Sequence, residues 1–148
     1  MAQTIPAGAS PITPYLTVRD AAAAAAFYQK AFGFEQTEMI PRKDGSPAHV
    51  GMTFCGHSVV MFGPEGMQGD MQSPASSGAT VPVSFYVYCD DVAQLVAQAR
   101  AAGANILAEP EDMFWGDRVA SIADPDGYQW TFATQVAEFD PTKVPEFD

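Results

Sequence analysis

An internal repeat constrains this chain more than any other feature. Asp20 opens an Ala-rich segment that ends at Gly33, thirteen residues on, and Asp90 opens a second that ends at Gly103, again thirteen residues on. Asp at a helix start accepts the first free N–H groups, and Gly just past a helix end turns the chain without a Cβ clash. Both segments are therefore predicted to be capped helices. A β-like run precedes each, residues 12–18 (ITPYLTV) and 83–89 (VSFYVYC). After Gly33 come an extended run over 34–40, a turn around Lys43-Asp44-Gly45, and a hairpin (HVGMTFCGHSVVMF) turning near Gly56. After Gly103 come a short run over 104–107, a Pro-containing loop, and a hairpin (RVASIADPDGYQWTFA) turning at Asp124-Pro125-Asp126-Gly127. The hairpin glycines fall 23 residues after the first helix end and 24 after the second. Two copies of β-α-β-β-β account for nearly the whole chain, which makes the fold class α+β.

The repeat divides the sequence into module 1 (about 12–62), a Gly/Pro/Ser-rich linker (63–80), module 2 (about 81–134) and a polar tail (135–148), read together as one domain over 1–148. A 148-residue chain is long enough to bury a core. Its 18 acidic residues against 7 basic ones leave a net charge of −11, so nucleic acid and anionic membranes are not expected partners. No apolar run approaches the roughly 20 residues that span a bilayer. The opening residues, MAQTIPAGASPITP, lack the basic and apolar regions of a signal peptide, which points to the cytoplasm. Cys55 and Cys89 read as reduced, small residues in apolar strand contexts.

The segments PYLTVRDAAAAAAFYQKAFGFE, FWGDR and ADPDGYQWTFAT resemble the vicinal-oxygen-chelate superfamily (glyoxalase, bleomycin resistance and dioxygenase proteins), in its PhnB-like branch. The resemblance covers roughly residues 12–140. It implies two curved four-stranded sheets forming a half-open barrel around a ligand cavity, helices outside, and a homodimer.

Metal-using members of that superfamily carry ligands on the first, fourth, fifth and eighth strands. Carried over by spacing, these positions fall on Thr13, about Met61, Ser84 and Thr131. Hydroxyls and a thioether are poor replacements for imidazole and carboxylate, so no metal and no cofactor are expected. His49 and His57 lie at opposite ends of one predicted strand, roughly 25 Å apart, too far to share a metal. Strand alternation puts Thr13, Tyr15 and Thr17 on one face, with the aliphatic Leu16 and Val18 on the other, toward a helix. In the fifth strand Ser84, Tyr86 and Tyr88 oppose Phe85 and Val87, and in the eighth Gln129, Thr131 and Ala133 oppose Trp130 and Phe132.

The candidate ligand-binding set is therefore Tyr15, His49, Ser84, Tyr86, Tyr88, Trp115, Arg118 and Gln129. Two readings of Arg118 are open: an anion clamp, or the first residue of a strand held in a local ion pair. Phe114 and Trp115 are either a lid or a cover for a sheet edge. Asp124-Pro125-Asp126-Gly127 reads as a hairpin turn, not a calcium loop. The sequence contains no nucleophile elbow and no phosphate-binding Gly-rich loop. The functional reading is a metal-independent binding protein for a small organic molecule. The alternatives are an enzyme of the same superfamily, such as a lyase or isomerase, working through Tyr86, Arg118 or His49, and a ligand sensor.

Overall fold

The structure, a computed structural model, describes residues 4–148. The first three residues of the segment read for a signal peptide lie outside that range. The chain divides into two compact units between Thr80 and Val81. Each is a four-stranded mixed sheet with a helix packed on one face. In module 1 the strands are β1 (Tyr15–Val18), β2 (Glu35–Pro41), β3 (Pro47–Phe54) and β4 (His57–Pro64), in sheet order β1-β4-β3-β2. Helix α1 (Ala21–Phe27) continues into a π-helical turn over Tyr28–Phe32. A four-residue helix α2 (Pro74–Ser77) precedes module 2. There β5 (Ser84–Tyr88), α3 (Val92–Ala101), β6 (Asn105–Asp112), β7 (Asp117–Ala123) and β8 (Gln129–Gln135) build the order β5-β8-β7-β6. In both sheets the strand before the helix pairs in parallel with the last strand of its module. No helix among the described residues is long and apolar enough to cross a membrane.

Alanines at helical spacing seat α1 on its sheet. Ala21, Ala24 and Ala25 are buried, and their small side chains let the helix approach Leu16, Val18, Val50 and Phe62 closely. The aromatic ring set of Tyr28, Phe32 and Phe34 completes that core, with centroids 5.4–6.0 Å apart. In module 2 Val92, Leu95, Val96 and Ala99 form the buried stripe of α3. Trp130, Phe132, Ile122 and Ala120 meet it from the sheet as fully buried side chains.

The helix ends differ in an instructive way. The side chain of Asp20 accepts from Ala23 N–H, as expected, but the second cap is Asp91, which accepts from Gln94 N–H at 3.1 Å; Asp90 is one residue too early. Cap-to-glycine spacing is thus thirteen residues in module 1 (33 − 20) and twelve in module 2 (103 − 91). Helix α3 closes with Ala104 N–H on the Ala99 carbonyl and Gly103 N–H on that of Arg100. In module 1 each equivalent bond reaches one residue further, Phe34 to Tyr28 and Gly33 to Gln29. The extra residue is absorbed by the π turn.

Other boundaries move for local reasons. The first strand starts at Tyr15, not residue 12, because Pro14 has no N–H for the ladder; Thr13 lies outside it. The fifth strand is trimmed to Ser84–Tyr88. The segment read as a Pro-containing loop is most of β6: Pro110 sits in an edge strand at a register irregularity between Ala108 and Glu111, where a missing donor is tolerated. Gly63 and Pro64 belong to β4 rather than to a linker. Ser73, fully buried, caps the Pro-initiated α2 and gives its N–H to Glu65. Cys55 is exposed in the β3–β4 turn with φ 50°, not in a strand, while Cys89 is half-buried, and both are free. His49 and His57 stand on different strands. His57 pairs with Phe54, five residues from His49, so the separation is roughly 17 Å, still outside one coordination shell.

The β7–β8 turn is organised by one buried carboxylate. Asp124 Oδ1 accepts from Asp126 and Tyr128 N–H, and Oδ2 accepts from Trp130 Nε1 at 3.0 Å. The turn is a hairpin turn, as the sequence predicts, with Gly127 at φ 93°. Asp124→Ala leaves these donors buried without the carboxylate. It should lower stability by about 3 kcal/mol, read as a shifted urea midpoint at unchanged slope. A loss below about 1 kcal/mol would show that water or backbone replaces it.

Candidate functional site

With Trp130, Phe132, Ile122 and Ala120 turned toward α3, strand alternation delivers Tyr86, Tyr88, Thr131, Ser121 and Asp117 to the opposite face of the second sheet. The expected alternation in β5 and β8 is what the structure has. Tyr86 and Tyr88 are 45% and 59% exposed, whereas Asp117 beneath them is 4% exposed. Its Oδ2 accepts both phenol hydroxyls, from Tyr86 at 2.7 Å and Tyr88 at 2.8 Å. Trp115 donates its indole N–H to the Tyr86 oxygen at 3.1 Å. The two tyrosine rings meet edge to face, 5.5 Å between centroids, and Phe114 stands perpendicular to Trp115 at 5.0 Å.

Gly116 fixes the loop that carries Trp115. At φ 100° it adopts a conformation that side chains disfavour, and a Cβ there would come 2.3 Å from the Ala137 carbonyl oxygen. Its own carbonyl accepts from Val136 and Ala137 N–H, tying the loop to the end of β8. Trp115 therefore lies on Tyr86, while Phe114 meets Phe147 of the tail.

Arg118 follows the second of its two readings. Asp117 and Arg118 alternate, so Arg118 lies on the helix side, opposite Thr134, whose hydroxyl accepts from Val92 N–H at the start of α3. Its guanidinium is bidentate to Asp112, at 2.6 and 3.1 Å, and holds that carboxyl below the usual range. It is not an anion clamp on the tyrosine face. Ser84 and Gln129 pair directly and are exposed. The residue that sequence reasoning missed is Asp117, the hub; its place two and four positions before Val119 and Ser121 on one alternating strand was the available signal.

Tyr15 and His49 come together in module 1. The Tyr15 hydroxyl lies 2.9 Å from His49 Nδ1, and His49 Nε2 lies 3.4 Å from Glu38, which the sequence reading did not include. A separate cleft of about 260 Å³ in this module is lined by Arg19, Arg42, Asp20 and Glu65, charges of both signs.

The metal-ligand positions do not suit a metal. Directly opposite Met61 stands Tyr15, and opposite Thr131 stands Tyr86, so the immediate partners of these two positions are phenols. Thr131 shares its hydroxyl with Ser121 at 3.3 Å. Among the described residues no group of three or more His, Cys, Asp or Glu could hold a metal ion.

Burial first, and then the bond to Asp117, push Tyr86 up to about 12 from 10.0; the Trp115 N–H opposes them in part. Tyr88 is also raised, chiefly by its bond to Asp117. A raised tyrosine pKa means that folding favours the neutral phenol. That stabilisation is complete below the ordinary value of 10.0 and is lost as pH rises through about 12. Alkaline titration followed by tyrosinate absorbance should therefore show a step near 12 that Tyr86→Phe removes and Asp117→Asn lowers toward 10. A step that Asp117→Asn leaves in place would contradict the hub role of this carboxylate.

Similarity to known proteins agrees with this architecture. A family model of the Glyoxalase/Bleomycin resistance protein/Dioxygenase superfamily matches residues 9–132. An uncharacterised protein of Mycobacterium bovis is 35% identical over 129 residues, covering 86% of this chain and 84% of the relative. An uncharacterised protein of Mycobacterium tuberculosis H37Rv is equally similar, with 75% of its length covered. Among solved structures, TioX from Micromonospora sp. ML1 superposes with a TM-score of 0.65 at 23% identity, covering 84% of this chain and 98% of that one. A glyoxalase/bleomycin resistance protein/dioxygenase family enzyme from Burkholderia phytofirmans gives 0.62 at 24% identity, covering 86% and 97%. These two share the fold. The paired βαβββ sheets and the family match over most of the sequence place this chain in the Glyoxalase/Bleomycin resistance protein/Dioxygenase superfamily.

Proposed function

We infer that the chain is a metal-independent binding protein of the PhnB-like branch, cytoplasmic and homodimeric, for a small, flat and partly polar organic molecule. One observation carries the reading: Tyr86 and Tyr88 stand exposed on one sheet face with both hydroxyls fixed on the buried Asp117 carboxylate, and the exposed Trp115 of the adjoining loop donates its indole N–H to the Tyr86 oxygen. Rings fixed in this way lose little freedom when a planar ligand stacks on them, and preorganisation of this kind raises affinity. The remaining lone pairs on the tyrosine oxygens, with Ser84 and Gln129 further along the face, offer polar contacts to a ligand edge. Tyr86 acts as a hydrogen-bonding group, because a phenol raised to about 12 stays protonated at neutral pH. The enzymatic alternative through Arg118 is weakened by that residue's engagement with Asp112. Assembly as a dimer would shelter the exposed edge strand β2, every residue of which faces solvent.

Titration with indoleacetate, quinaldate and riboflavin tests the reading. At least one should quench Trp115 emission, assigned against the buried Trp130 by Trp115→Phe, and Trp115→Ala should weaken that binding by about 1–3 kcal/mol. The same preparation should carry well under one equivalent of transition metal and run as a dimer by light scattering. No quenching by any probe, or affinities that ignore Trp115→Ala, would refute the binding face; tightly held stoichiometric metal would refute metal independence.

A further inference from the structure

The exposed face of the first sheet carries a file of three titratable side chains, Tyr15 hydrogen-bonded to His49 and His49 in contact with Glu38, that the binding face of module 2 does not use. Strand pairing sets it up. Glu38 pairs with Gly51, Gly51 with Met61, and Met61 with Tyr15, one row across all four strands. The glycines in this region leave space for side chains. A Cβ on Gly51 would lie 2.9 Å from the Glu38 carboxylate, and one on Gly63 would lie 3.2 Å from the Tyr15 hydroxyl. Neither glycine has a positive φ, so it is room rather than backbone geometry that they supply. Over these gaps Glu38 and Tyr15 reach His49 from opposite sides, at 3.4 and 2.9 Å.

The proton positions follow from the groups themselves. An ionised carboxylate only accepts, so Nε2 of a neutral imidazole carries the proton toward Glu38, and Nδ1 accepts from the Tyr15 hydroxyl. That leaves the Tyr15 oxygen with lone pairs for an incoming donor. The Tyr15 and His49 rings stack at 5.6 Å and 26°, a flat platform beside that oxygen. Such an order repeats the logic of a hydroxyl, an imidazole and a carboxylate in series, in which the carboxylate orients the ring and stabilises the imidazolium.

We propose that Tyr15, His49 and Glu38 form a proton relay that deprotonates an acidic hydroxyl on a planar carbon, a phenol or enol, bound against Tyr15. The ligand O–H bond breaks as its proton passes to the Tyr15 oxygen. The former Tyr15 proton passes to His49 Nδ1. The products are a bound phenolate or enolate, a neutral Tyr15, and an imidazolium held by the Glu38 carboxylate. No oxidant or second substrate is consumed. Burial and the nearby Glu38 raise the Tyr15 pKa, which suits a group that relays a proton rather than keeping a negative charge. The class of ligand follows from the acceptor: only a hydroxyl acidic enough to give its proton to an imidazole completes the transfer.

The probe is para-nitrophenol, whose phenolate has its own visible band, at a pH where the free dye is mostly protonated. Wild-type protein should bind it as the phenolate. Tyr15→Phe and His49→Gln should each lower the bound phenolate fraction by at least about tenfold, the worth of a charge-assisted hydrogen bond. Gly51→Ala, which pushes the Glu38 carboxylate aside without removing any titratable group, should lower it less. His57→Gln, at the exposed hairpin turn, should leave it unchanged, and circular dichroism checks that each variant folds. Absence of dye binding at millimolar concentration, dye bound only as the phenol, or a phenolate band that survives His49→Gln would each overturn the relay. None of these outcomes bears on Trp115 quenching, so the two functional readings fail separately.

Discussion

Apolar contact between each sheet and a single helix governs what the rest of the chain can do. Leu16, Val18, Val50 and Phe62 are committed to α1, and Ile122, Trp130 and Phe132 to α3. Because side chains alternate along a strand, committing one set to the helix sends the intervening residues to the other face. That second face holds Tyr15, His49 and Glu38 in one sheet and Tyr86, Tyr88 and Asp117 in the other. The aromatic core and the polar faces are two outcomes of one register.

The two faces use carboxylates in opposite ways. Asp117 is buried and gathers hydroxyls, so its charge is spread over fixed donors and the phenols become harder to ionise. Glu38 is half in solvent, and its contact with His49 runs through the imidazole. The first arrangement makes a rigid recognition surface; the second leaves a route along which charge can move. Both modules place a tyrosine opposite the last strand of their sheet, Tyr15 against Met61 and Tyr86 against Thr131, where a metal-using relative would need stronger ligands.

Much of this was legible in the sequence. Matched caps, helix lengths and hairpins gave the two βαβββ modules, and period-two alternation placed Ser84, Tyr86 and Tyr88 opposite Phe85 and Val87. The chain ends of elements were less legible, because they turn on single donors: Pro14 delays β1, Pro110 survives inside an edge strand, and Asp91 rather than Asp90 caps α3. The partners of the site residues were least legible. Asp117 and Arg118 are neighbours with opposite fates, and the FWGDR motif alone does not say which of them joins the tyrosines. Glu38 reaches His49 from another strand over a glycine, a relation that depends on inter-strand register.

The π turn after α1 shows where a duplicated unit can change length. An odd residue added to a strand would turn every later side chain to the wrong face. Added to a helix, it widens one turn, and the following strand still begins in phase; the two closures differ by one residue at each bond and both deliver a left-handed glycine. The helices are thus the tolerant joints of the two modules. The one-residue difference between the two copies is taken up there while the faces that carry the chemistry keep their order.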